Sequence, residues 1–175
     1  MEEDEALMVT YEGTIKSTVI LSDNKRYRYR LTRAWDPTKK KATVIMLNPS
    51  IADALKVDKT VMNLTNYLID NNFGSVDIVN LFSYISTDPT ELSKSEEEYE
   101  IKNNEHISAA IKEAHTVIIA WVRGGNKFVQ ARKKEIEAML LPYKDKVKCF
   151  KDNQGRKPRH PRDLGKGWTI EDYEF

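Results

Sequence analysis

The chain has 175 residues, 40% hydrophobic and 31% charged, with a formal net charge of +1. This length suits one domain with one sizeable core, and the near-neutral balance excludes an overall field selecting nucleic acid or membrane, so any cationic site has to be local. The lone cysteine, Cys149, excludes an internal disulfide and a cysteine cluster for zinc or iron–sulfur, and it fits a reducing cytoplasm, the expected location.

Met1 is followed by four acidic residues, the reverse of a signal peptide's basic start. Residues 1–8 are expected to form a flexible acidic tail, ahead of a single α/β domain over 9–175. No apolar run approaches the ~20 residues that a membrane helix needs, so no membrane partner is expected. Two β-rich runs follow, Lys16–Leu21 and Arg26–Thr32, separated by the turn-forming Ser22, Asp23, Asn24 and Lys25. They predict a hairpin. In its second run Tyr27, Tyr29 and Leu31 alternate with Arg26, Arg28 and Arg30, a period of two giving one apolar and one cationic face.

Four short apolar runs come next: Thr43–Leu47, Val76–Val79, Thr116–Trp121 and Val147–Phe150. Each reads as a strand buried on both faces, the habit of parallel sheets. Helical patterns separate them. Asp58 can cap a helix with Val61, Leu64 and Leu68 on one stripe. Asn104 can open a second, carrying Ile107, Ala110, Ile111 and Ala114. A third runs from Lys127 to Leu141 and stops at Pro142. The alternation predicts a three-layer α/β/α sandwich with a central, mostly parallel four-stranded sheet and an N-terminal β-hairpin.

In open α/β sheets ligands bind beyond the carboxyl ends of the strands. Those ends single out Asn48, Pro49, Ser50 and Asp53 after the first central strand, and Asn80 and Phe82 after the second. Trp121 closes the third, and His160 follows the fourth. Asn48 can hold a water or an amide edge, or start an Asn-Pro turn, and Pro49 keeps it extended. Asp53 and Asp58 can act as a base or metal ligand, or simply cap helices; two acids without a third ligand predict no metal site. Asn80, ending a buried strand, needs a partner. Trp121 is either core or a stacking wall. His160 titrates near neutrality and stands between Arg159 and Arg162, which favour the neutral imidazole. His106 and His115, on or beside a helix, read as structural. Arg156, Lys157, Arg159, Arg162 and Lys166 form a local cationic patch able to grip phosphates, or a solvated loop. No Walker, GxSxG or HExxH motif occurs, and no cofactor is expected.

The string from Arg28 to Asp36, then Leu47–Asp53, Val79–Phe82, Thr87-Asp88-Pro89 and Pro158–Pro161, resembles the domain of unknown function 1643 family of bacterial and phage proteins, from about Tyr27 to Leu164. The order of motifs is also similar to that of the uracil-DNA glycosylase superfamily. That resemblance implies that Asn48, helped by Asp53, places water, that Asn80 reads a base and that His160 reaches the base carbonyl. It makes Asn48, Asp53 and His160 the expected catalytic residues. Pro49, Ser50, Asn80, Phe82, Trp121, Arg159 and Arg162 become substrate-binding, with Phe82 as a base-stacking ring. Leu47, where a small residue is expected, and Arg162, where a serine is expected after His-Pro, depart from that pattern. The expected activity is N-glycosidic-bond hydrolysis on a nucleobase, nucleotide or nucleic acid. The alternatives are a non-catalytic nucleotide or nucleic-acid binder and a phage or mobile-element protein-interaction module.

Overall fold

The computed structural model describes residues 7–175. Residues 1–6 of the expected acidic tail lie outside the described residues, and 7–15 carry neither helix nor strand. Seven strands form one sheet: β1 (Lys16–Leu21), β2 (Arg28–Ala34), β3 (Lys40–Met46), β4 (Phe73–Asn80), β5 (Thr116–Ile119), β6 (Val147–Lys151) and β7 (Thr169–Asp172). Their spatial order is β1-β2-β4-β3-β5-β6-β7. The four central strands, β4, β3, β5 and β6, are mutually parallel, as their apolar runs predict.

The sheet is nevertheless seven strands wide rather than four. The hairpin is no appendage: β2 pairs antiparallel with β4, and β7 closes the other side antiparallel to β6. Both additions satisfy backbone groups that a four-stranded sheet would leave open at its edges.

Three helices cover the two faces. In α1 (Lys59–Asp70) the Asp58 carboxylate caps the Val61 N–H, and Val61, Leu64 and Leu68 are buried. They pack with Leu31, Val44, Ile78, Ile118 and Phe150 on one face. The opposite face carries α2 (Glu97–Glu113) and α3 (Lys127–Leu140), whose Ile107, Ile111, Ile136 and Leu140 pack on Ile45, Val79, Val117 and Ile119. Helix α2 begins seven residues before the expected start at Asn104. Glu97, Glu98 and Glu100 stand in its first turn, where the positive end of the helix dipole favours acids. Asn104 instead bonds α3, accepting from Arg132 and donating to Glu135.

The expected alternation of the β2 run fails at one point. Ile20 pairs with Arg30 but Leu21 pairs with Arg28, so Tyr29 is an extra, bulged residue. Consecutive Tyr29 and Arg30 both reach α2, Tyr29 stacking on His106 and Arg30 pairing with Glu113. Arg28 turns inward and donates to the Ala52 carbonyl. The bulge thus converts an expected surface cation into a buried one.

Candidate functional site

Strand β3 connects to β4 on one side and the chain then crosses to β5 on the other, so the connections diverge above the carboxyl ends of β3 and β5. This is the topological switch point at which such sheets open a crevice. The crevice has two lobes sharing Leu47, Pro89 and His160.

The apolar lobe, about 320 Å³, is walled by Leu47, Pro89, Trp121, Val122 and Val129. Trp121 is held edge-on by Tyr173, ring centres 6.2 Å apart. Lys133, on α3, pins the loop after β5 by donating to the Val122 and Gly124 carbonyls at 2.6 and 2.7 Å. Arg123 bonds the Lys157 carbonyl at 3.1 Å, tying the tryptophan loop to the histidine loop. Gly124 and Gly125 adopt φ of 84° and 106°, a left-handed bend that only glycine takes without strain.

The polar lobe, about 570 Å³, is lined by Arg28, Asn48, Ser50, Asp58, Lys59, Thr60, Ser86, Thr87 and Arg162, besides His160. Asn48 donates to the Ser86 carbonyl at 2.6 Å, while the Ser86 N–H bonds the Pro49 carbonyl at 3.1 Å. The turn and ligand readings of Asn48 are therefore compatible. Its amide nitrogen holds the turn, and its Oδ1 has no donor among the described residues. Asp58 accepts from Val61 N and Ser50 Oγ.

His160 accepts the Arg162 N–H on Nδ1 at 3.2 Å, which puts the proton of the neutral ring on Nε2. Burial pushes its pKa down, opposed by the nearby Asp58 charge and aided by Arg162. The imidazole at neutral pH is accordingly an uncharged donor through Nε2–H.

Of the residues expected from sequence, Asn48, Ser50, Trp121, His160 and Arg162 line this crevice, and Pro49 is buried within its turn. Others stand elsewhere. The Asp53 carboxylate is engaged in a turn, accepting the Leu55 and Lys56 N–H groups at 2.8 Å, and those bonds lower its pKa. Phe82 stacks on Phe128 in a separate groove between α2 and α3. Asn80 is fully buried at the end of β4; its backbone carbonyl accepts from Asn103, but its own side-chain atoms find no partner among the described residues. Most of the cationic patch is neutralised: Asp152 takes Arg156 and Arg159, and Glu171 and Glu174 take Lys157. Only Arg162 of that patch opens into the crevice.

Sequence reasoning missed Arg28 and Lys133; Asp58, offered either as a base or as a helix cap, both caps α1 and lines the polar lobe. Arg28 stood within an apparently regular alternation, and only the bulge reveals its direction. Among the described residues no group of three His, Cys, Asp or Glu side chains is placed to hold a metal ion, and no helix is long and apolar enough to cross a membrane.

A family model described as "Protein of unknown function (DUF1643)" matches residues 28–162. Its ends coincide with Arg28 and Arg162, so it contains every residue named in the crevice walls. No curated protein and no solved structure matches the chain.

Proposed function

Since the chain belongs to this family of proteins of unknown function, its role has to be read from the crevice, and we propose that it binds a nucleobase-bearing compound there and hydrolyses its N-glycosidic bond. The observation that carries this reading is the meeting of remote segments. The Asn48-Pro49 turn and the His160-Pro161 loop border one cleft, apolar on one side and polar on the other. A flat base suits the wall of Trp121, Leu47 and Pro89. The sugar then lies at the junction, beside His160.

In this scheme the bond from C1′ to the base breaks as water adds to C1′ and gives its proton to the Asp58 carboxylate, while the departing base takes up negative charge until a proton from solvent neutralises it; Asp58 then returns its proton to solvent. The Nε2–H of neutral His160 donates to that developing charge, which stabilises the transition state without an isolated imidazolium. Asn48 Oδ1 positions the water. Asp58, the one carboxylate in the lining, takes the part that the resemblance gave to Asp53. The similar order of Asn-Pro and His-Pro motifs in the uracil-DNA glycosylase superfamily supports the assignment, as an analogy of arrangement. Asn80, buried beneath the surface, has no part in it.

The test is release of free base, followed by chromatography. The substrates are nucleosides, nucleotides, and single-stranded and duplex oligonucleotides containing uracil, hypoxanthine or modified thymine. Release that falls ~100-fold or more in His160→Gln is the expected result. Silence of folded protein across the panel would remove the hydrolytic reading, and salt-dependent binding without turnover would make the site a binder.

A further inference from the structure

Arg28 is 2% exposed, yet it lines the polar lobe. Among the described residues it makes one side-chain hydrogen bond, Nη1 to the Ala52 carbonyl at 2.5 Å, and its buried Nε has no acceptor there. The other buried arginine among the described residues, Arg132, is matched by Glu135 and Glu100, and the half-buried Arg30 by Asp77 and Glu113. Arg28 has no such ion pair among the described residues. A desolvated guanidinium without a counter-ion is costly, and a fold that keeps one facing a cleft leaves it available to an incoming anion.

A second observation points the same way. The N-terminus of α1, a helix of 12 residues, opens on this lobe through Lys59, Thr60 and Val61. Asp58 satisfies the Val61 N–H, whereas the Lys59 and Thr60 amides have no protein acceptor among the described residues. Arg162 stands on the same lining. The opposing charge is Asp58, itself held by Val61 N and Ser50 Oγ, while Lys59 is shared with Asp163 at 3.0 Å.

We propose that the polar lobe is a subsite for a terminal phosphate monoester gripped by the Arg28 fork, making the cleft's substrate a nucleoside monophosphate rather than a polynucleotide strand. The phosphate of a strand is a diester, and its chain has to leave on both sides. A buried fork admits an end group and excludes that geometry. The substrate class rests on the nucleobase reading of the apolar lobe; the phosphate subsite does not.

The experiment is calorimetric titration at fixed ionic strength of wild type and Arg28→Met. The titrants are inorganic phosphate, uridine, uridine 5′-monophosphate and a single-stranded oligouridylate without terminal phosphate. The monophosphate is expected to bind wild type ~10- to 100-fold tighter than the nucleoside, and Arg28→Met to lose most of that gain. Equal binding of nucleoside and monophosphate, equal binding of the monophosphate by wild type and variant, or tighter binding of the oligonucleotide would each overturn the proposal. Arg28-dependent binding of inorganic phosphate with no gain from the nucleoside part would sink the nucleobase reading and leave the phosphate subsite standing. Should Arg28→Met fail to fold, Arg28→Lys, which keeps the charge and loses the fork, replaces it. The expected loss is then smaller but measurable, and none would count against the fork.

Discussion

Replacing Arg28 by methionine should stabilise the ligand-free protein. Burial drives the guanidinium pKa down to about 10, with the charges of Asp58 and Asp53 only partly opposing it. The guanidinium keeps its proton in both the folded and the unfolded chain, so the whole cost is present at pH 7 and across the working range. A fall of this size, at ~1.4 kcal/mol per pH unit, corresponds to ~3 kcal/mol against the folded state. Methionine fills a similar volume without charge, but it forfeits the bond to the Ala52 carbonyl, worth ~1–2 kcal/mol. The net expectation is a gain of ~1–2 kcal/mol, or a rise in Tm of ~2–6 °C for a chain of this size. Thermal and urea unfolding without phosphate measure it. Saturating phosphate should reverse the order, since a ligand at ~100 times its Kd adds ~2.7 kcal/mol to wild type alone. A variant destabilised by more than ~1 kcal/mol, with phosphate acting equally on both proteins, would show that Arg28 is a structural tie and refute the reasoning.

Three further outcomes are expected. His160 and His106 both have lowered pKa values, chiefly from burial, so the unfolded chain binds more protons than the folded one below the ordinary histidine value. Stability is therefore fully present above pH ~6.5 and is lost as pH falls towards the depressed folded values; urea midpoints from pH 7.5 to 5.5 should show this, with a shallower slope in His160→Gln. Asp77, fully buried, accepts from Arg30, Lys41 and Thr32 at 2.5–2.6 Å, and Asp77→Ala should cost ~2–3 kcal/mol in chemical unfolding by leaving the half-buried Arg30 and Lys41 with Glu113 alone. Phe128→Ala strips the ring stacked on Phe82, at a centre distance of 4.9 Å, outside the crevice; it should leave nucleotide affinity unchanged, and a fall of ~10-fold would restore Phe82 as a candidate base-stacking ring.

The parallel core was legible because each central strand is a short, mainly apolar run, broken in β4 by Asp77 and in β6 by Lys148, and because α1 announces itself with the Asp58 cap and a Val61, Leu64, Leu68 stripe. Strand β7 was not, since Thr169-Ile170-Glu171-Asp172 carries one apolar residue in four and forms only by pairing with β6. Topology made Asn48, Trp121 and His160 foreseeable, because strand ends converge by rule. The partners that decide a charge's fate are set by how the loops and strands bend. Asp152 neutralising Arg159, and a bulge at Tyr29 turning Arg28 inward, leave no local mark. Asp53 is the opposite case: its carboxylate serves the backbone amides two and three residues on, a local turn of the kind aspartate favours.

Chemical-shift mapping with a nucleoside 5′-monophosphate tests the central claim most directly. Perturbations should gather at the Trp121 indole, the His160 ring and the Lys59–Val61 amides, which belong to one crevice only if base and phosphate occupy its two lobes together. Shifts confined to Phe82 and Phe128, or an unchanged spectrum at millimolar ligand, would contradict the account.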